Sequence, residues 1–401
     1  MKIFLELWTG IGPLIRSLPI ANALRQRGHE VTFLAYDQAA QYMIACGFEQ
    51  ADIDPQKIAV RPMVLPSWRN NDAGAGLRGF ADIEWLKNTQ KEWRRYFNTY
   101  KPDLILSDFG VQSAIAARAL GIPQATITQS CMHPGRFGGR IQYWNNECES
   151  EKSHQTADVI NQYLKQFNAA PIESYDDLYT SHKTIIPGFP EFDRLEEQCE
   201  KETFYSGPVL WDGLHEKKTC EQPTFKNGNP VIFSYPGRMN DGAGNSGEVL
   251  FNAITAAAKA NDSFNVIIST GGMDAKAKHL ADSVPENVKV VDWLPMDQAF
   301  MNCDIVIHHG GHGSCMANFK YGKPALIIPT HTERNYNAHR MQDLETGIII
   351  NREDVNTTSI LNGIEALLRE KKYIDNTRRY QKKIQQHYPD SAESAADYIV
   401  S

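Results

Sequence analysis

Short apolar runs, set off by glycine and proline, alternate along the whole chain with segments whose apolar positions recur every three or four residues. That order predicts strand and helix in turn, the sequence form of an α/β fold with buried parallel strands. Residues 2–8 read as a buried strand, 9–13 as a turn, and 14–27 as a helix with Leu14, Leu18, Ala21 and Leu24 on one face. Pro19 inside that pattern asks for a kink or a late start. With a further strand at 31–35 the chain opens as a βαβ unit. A strand at 101–108 ends in a carboxylate, a helix of small residues at 111–120 stops at Gly121-Ile122-Pro123, and 124–128 gives another strand. Residues 52–93 are irregular and rich in Pro, Gly, Asn and Trp, with one helix expected near 82–100.

The alternation lapses at 211–228, which is polar, charged and without period, and resumes at 230–237. A helix at 248–259 and strands at 264–270, 288–292, 304–307 and 325–329 come next, then a helix at 340–345, a strand at 347–350 and helices at 358–369, 373–387 and 392–400. The expected division is a first domain at 1–210, a linker at 211–228, a second domain at 229–386 and a terminal helix at 387–401. A chain of 401 residues is too long for one ordinary core, which agrees with two domains.

Composition narrows the function. A net charge of -7 and a pI near 6.0 argue against nucleic acid or an anionic membrane as the main partner. No apolar run reaches membrane-spanning length and the first residues do not form a signal peptide, so a soluble cytoplasmic protein is expected. Seven cysteines without C-x-x-C spacing fit reduced, buried thiols.

The densest chemistry lies at His308-His309-Gly310-Gly311-His312-Gly313-Ser314, between an apolar strand and a helical segment that stops at Gly322-Lys323-Pro324. Strand, glycine turn and helix together make an anion site: glycines admit close approach, Ser314 suits an N-cap, and the first-turn amides carry the positive end of the helix dipole. Arg238, in a glycine-rich polar stretch at 238–247, is placed to reach a phosphate. The three histidines have no neighbouring carboxylate or cysteine to complete a ligand set, so no metal is expected. Asp108 falls at the carboxyl end of its strand, where ligands gather in open α/β sheets, but the position also suits a helix cap, and the sequence leaves both roles open. His133 lies in a stretch without clean period, 130–150, as a second candidate base or an ordinary loop histidine.

From His309 through Ala338 the chain resembles the nucleotide-sugar region of the two-domain GT-B glycosyltransferases, of the UDP-glycosyltransferase type. Their pattern of H-G-G-x-G-[ST], a helix ending in G-x-P, a strand and P-x-x-x-[DE]-Q-x-x-N-A keeps its spacing here. The opening, with Gly10, Gly12, Arg16, Ser17, Pro19, Ile20 and Ala21 and then Arg27 to Val31, is similar to G-x-G-H-x-x-R-S-x-P-I-A and R-G-H-E-V in bacterial and archaeal members. The resemblance implies two Rossmann-like domains facing a central cleft, with the C-terminal helix crossing back to the first. It implies inverting transfer of a sugar from a UDP- or dTDP-sugar to a hydroxyl of a small-molecule or lipid-linked acceptor, without a metal or other cofactor. His309, Gly311, His312, Gly313 and Ser314 would hold the diphosphate, and Glu333 and Arg334 would meet the sugar. Trp293 would stack on the base, unless it is a core residue.

Three positions depart from the pattern. Pro13 stands where many relatives have the histidine that takes the acceptor's proton, in the loop of Gly10 and Gly12, and proline cannot do so. Asp108 and His133 are the remaining candidates. Ala317 replaces a glutamate that grips ribose, and Arg334 replaces a glutamine, a change that suits a deoxysugar or acidic donor, or equally makes Arg334 a structural ion-pair partner. Because Pro13 removes the expected base, a non-catalytic nucleotide-sugar-binding partner is the alternative, with a sugar-nucleotide 2-epimerase behind it.

Overall fold

The apolar runs fold into two parallel sheets. The computed structural model describes residues 1–8, 10–62, 71–138, 155–211, 223–237, 246–270 and 283–401. The first sheet contains β1 (Lys2–Leu7), β2 (Glu30–Leu34), β3 (Glu49–Gln50), β4 (Leu104–Asp108), β5 (Gln124–Ile127), β6 (Lys183–Ile186) and β7 (Thr203–Tyr205), in the order β3-β2-β1-β4-β5-β6-β7. The second contains β8 (Val231–Tyr235), β9 (Asn265–Ser269), β10 (Val288–Val291), β11 (Ile305–His308), β12 (Ala325–Ile327) and β13 (Gly347–Ile349), in the order β10-β9-β8-β11-β12-β13. Parallel neighbours need a crossover between them, and helices on both faces bury the strands, which is why the strands read as continuous apolar runs.

The chain divides into two compact units, Met1–Trp211 with Asp390–Ser401, and Asp212–Pro389. In the first, Ile3, Leu5 and Leu7 of β1 share a core with Leu14, Leu18 and Leu24 of the helix Ile11–Gln26 and with Ala395, Ala396 and Ile399 of the helix Ser391–Val400. Arg27 ties that last helix down, pairing with Glu393 and with Asp397 (Nε to Oδ1, 2.6 Å). On the other face of β1, Phe4 meets Trp93, Tyr96 and Phe97 of the helix Ile83–Tyr100. In the second unit, Ile232, Ile305 and Ile307 pack with Leu250 and Ile254 of the helix Ser246–Ala260 and with Ile360 and Ile364 of the helix Thr357–Arg369.

Two helices begin earlier than the sequence pattern suggests. The first starts at Ile11 rather than 14, with Gly10 (φ 103°) as its N-cap and Pro13 in the first helical turn, where its missing N–H costs nothing. The helix Thr332–Asp343 starts eight residues before the expected 340. Its buried face carries Thr332, Asn335 and Asn337 before Ala338 and Met341, so the apolar period that advertises a helix is missing from its first half. Among the described residues no helix is long and apolar enough to cross a membrane.

Candidate functional site

Strand order locates the sites. In both sheets the order reverses once, between β1 and β4 in the first and between β8 and β11 in the second. At such a point the chain leaves neighbouring strands in opposite directions and opens a crevice at their carboxyl ends. In the second unit Tyr235 and His308 are register partners there, so Gly237 and His309 emerge side by side.

The motif residues build the crevice wall. Gly310 takes a left-handed conformation (φ 87°), and a Cβ there would stand 2.6 Å from the Arg334 carbonyl oxygen, so only glycine lets the turn pack against the helix Thr332–Asp343. Gly311 is the N-cap of the helix His312–Tyr321, and the first helical bond runs from the Cys315 amide to the Gly311 carbonyl (3.0 Å). Ser314 is therefore not the cap expected from sequence. It lies within the first turn, where its amide, with those of His312 and Gly313, belongs to the helix's N-terminal set. The His309 ring lies between Gly237 and Gly311, since a Cβ on either would come within 3.0 Å of a ring nitrogen. Its other flank meets Tyr235, 5.8 Å between ring centroids.

A second helix N-terminus arrives beside the first. Asn337 Nδ2 donates to the Gly310 carbonyl (3.0 Å) and to Glu333 Oε1 (3.0 Å), so one amide fixes both the glycine turn and the Glu333 carboxylate. Arg334, also in the first turn of Thr332–Asp343, donates to Thr330 Oγ1. Burial pulls His308 down to about 4 and holds His309 and His331 well below the usual imidazole range, with the Arg334 charge adding to the effect on the latter two. Those three rings are neutral at physiological pH. Among the described residues, Arg334 and two helix dipoles give the site positive character. Ala317 is fully buried in the helix His312–Tyr321, and Trp293 comes just after β10, partly buried, on the same carboxyl edge of the sheet. Arg238 lies outside the described residues. Among those described, no group of three or more His, Cys, Asp or Glu is placed to hold a metal ion.

At the first sheet's reversal, Asp108 is fully buried and its carboxylate is already engaged. Arg16 Nε donates to Oδ2 at 2.8 Å and Nη2 to Oδ1, while Ser17 Oγ donates to Oδ2 at 2.6 Å. Asp108 thus anchors the helix that begins beside Gly10, Gly12 and Pro13, and is not a cap for the next helix. Taking up a proton would break a buried ion pair. Gly12 is exposed and a Cβ on it would meet nothing within 4 Å, whereas Pro13 beside it is buried. His133 is buried rather than an exposed loop residue, and burial, reinforced by the Arg136 charge, lowers it to about 4. Its Nδ1 accepts the Gly135 amide (2.9 Å), which leaves the neutral ring's proton on Nε2.

Glu6 is a buried acid absent from the candidates that the sequence suggests. Glu6, 1% exposed, lies on the opposite face of β1 from Leu7, and its Oε2 accepts the Ser113 amide (2.9 Å) at the N-terminus of the helix Val111–Leu120. A Cβ on Gly110 would come within 2.5 Å of that oxygen, so the glycine makes room for it. Desolvation raises the Glu6 carboxyl to about 7, partly offset by the bond from Ser113. A single acid inside the run Ile3-Phe4-Leu5-Glu6-Leu7 is the signal that could have found it.

The chain as a whole is similar to known proteins. Residues 256–399 match the family described as erythromycin biosynthesis protein CIII-like, C-terminal domain. The chain is 23% identical to NDP-glycosyltransferase YjiC of Bacillus subtilis (strain 168), over 96% of this chain and 92% of that one. It is 23% identical to the erythronolide mycarosyltransferase of Saccharopolyspora erythraea, over 90% of this chain and 89% of that one. Among solved structures, the Streptomyces sp. SF2575 glycosyltransferase SsfS6, complexed with thymidine diphosphate, aligns over the whole of both chains with a TM-score of 0.65 at 18% identity.

Proposed function

We propose that this chain, a glycosyltransferase of the GT-B fold related to enzymes of natural-product biosynthesis, moves a sugar from a dTDP- or UDP-sugar to a hydroxyl of a small-molecule acceptor, inverting the anomeric carbon. The observation that carries this reading is the meeting of two helix N-termini, Arg334 and the glycine-flanked His309 at the β8–β11 reversal. Donors aimed at a diphosphate stabilise the charge that grows on it as the glycosidic bond breaks, the principal electrostatic task of the reaction. Neutral His309 serves as a hydrogen-bonding group there, Glu333 as an acceptor for sugar hydroxyls held in place by Asn337, and Trp293 as a platform for the base. With alanine at 317 the ribose contact supplied by a glutamate is missing, which favours a donor recognised chiefly through its diphosphate, base and sugar.

On the acceptor side the two candidates take different roles. Asp108, clamped by Arg16 and Ser17, positions the helix Ile11–Gln26 that carries Gly12 and Pro13, and His133 offers its Nε2 proton as a hydrogen-bond donor that orients the acceptor oxygen; as that oxygen bonds to the anomeric carbon the nucleotide diphosphate leaves, and the hydroxyl's own proton passes to solvent water. The test is a thermal-shift panel of UDP, dTDP, GDP and ADP on the chain and on His309→Ala. A ligand at about a hundred times its Kd adds roughly 2.7 kcal/mol. A shift with dTDP or UDP that His309→Ala removes, together with donor-dependent glycosylation of a hydroxylated acceptor, is the expected result. Stabilisation without product under any donor and acceptor pair would favour the non-catalytic binder, and no shift with any nucleotide would overturn the site.

A further inference from the structure

We propose that the outward face of the helix Lys371–His387 docks on an anionic lipid bilayer. This helix carries six lysines and arginines against one acid, Asp375, in a chain whose net charge is -7. Its apolar side is occupied: Thr377, Tyr380 and Ile384 are buried, and Tyr380 packs edge-on against Phe319 at 5.6 Å. That contact holds the opposite side outward, where Arg378 and Lys382 are exposed one turn apart and line a shallow groove with Arg379, Lys383, Gln386, His387 and the single acid Asp375, four cations to one carboxylate. Gln381 Nε2 donates to the Lys320 carbonyl (3.3 Å), which sets another exposed lysine, from the neighbouring helix, beside the row. Glu345 and Glu370 pair with Lys372 in the first turn (3.6 and 3.7 Å). Among the described residues Arg378 and Lys382 have no acidic partner.

The surface suits a bilayer better than the other polyanions. A protein interface is built round a desolvated apolar or aromatic anchor, and single-stranded nucleic acid is held on exposed aromatic platforms. Here Tyr380 is turned inward, and the cations stand on a convex helix with long, mobile stems. Delocalised attraction to many headgroups needs only such an array. Leu368, 41% exposed and three residues before Lys371, supplies an apolar contact at one end of the row.

The test is co-sedimentation of the full chain with phosphatidylcholine vesicles, with and without phosphatidylglycerol, at low and high salt. Sedimentation with the anionic vesicles alone, released by salt, is expected. The Arg378→Gln/Lys382→Gln double variant should bind them about tenfold more weakly or worse, with unchanged Tm and unchanged turnover on a soluble acceptor. Equal sedimentation with neutral vesicles, full retention by the variant, or capture by heparin or single-stranded DNA but not by vesicles would each overturn the proposal.

Discussion

Glu6 allows the sharpest test of the physical reasoning. Its carboxyl is enclosed between β1 and the helix Val111–Leu120, and burial moves its ionisation from 4.5 to about 7. That displacement is worth about 3 kcal/mol between the neutral and charged forms in the folded chain. The folded state keeps its proton to higher pH than the unfolded state. The stability associated with Glu6 is therefore complete below about pH 4.5 and is lost as the pH rises through 7. Glu6→Gln is neutral at every pH and its amide oxygen can still accept the Ser113 amide. At about pH 4 the variant and the parent should melt nearly together; at about pH 8.5 the variant should melt higher, by roughly 6–12 °C for a unit of this size. Differential scanning fluorimetry of both proteins across that range cancels every other titration common to them. A Tm difference that is the same at both ends of the range refutes the account of Glu6 as a buried, proton-holding carboxylate.

Two further outcomes rest on the same geometry. Asp108→Asn leaves the buried Arg16 guanidinium without its counter-charge and should cost about 3 kcal/mol in urea unfolding, while nucleotide-induced thermal shifts persist. Gly310→Ala combines a left-handed φ with a Cβ pressed on the Arg334 carbonyl, so it should abolish the nucleotide shift and destabilise the chain by at least about 2 kcal/mol, read by the same unfolding assay.

Apolar periodicity carries most of the architecture. Parallel strands buried on both faces leave continuous runs such as Ile305-Val306-Ile307, and the glycines of the motif mark a turn that no other residue could make. What the pattern hides is what polar residues do inside. The helix Thr332–Asp343 buries two asparagines and a threonine ahead of Ala338 and Met341, so its first half has no apolar period to read. Ser314 reads as a cap because serine favours that position, yet Gly311 holds the cap with an extended backbone and leaves the serine inside the first turn. Asp108 is legible as a strand-end carboxylate, but its partners Arg16 and Ser17 lie more than ninety residues away, and only the fold brings them to it. Net charge hides the opposite feature: summed over the chain it is negative, and the basic row on Lys371–His387 vanishes in the sum.

The return of residues 390–401 to the first unit has a consequence for the order of events during synthesis. Ala395, Ala396 and Ile399 complete the core laid down by β1 and the helix Ile11–Gln26. When the ribosome has finished residues 1–211, that core still lacks a wall. Domains commonly fold in the order they emerge; here the first unit must wait, partly open, while the whole of the second is made.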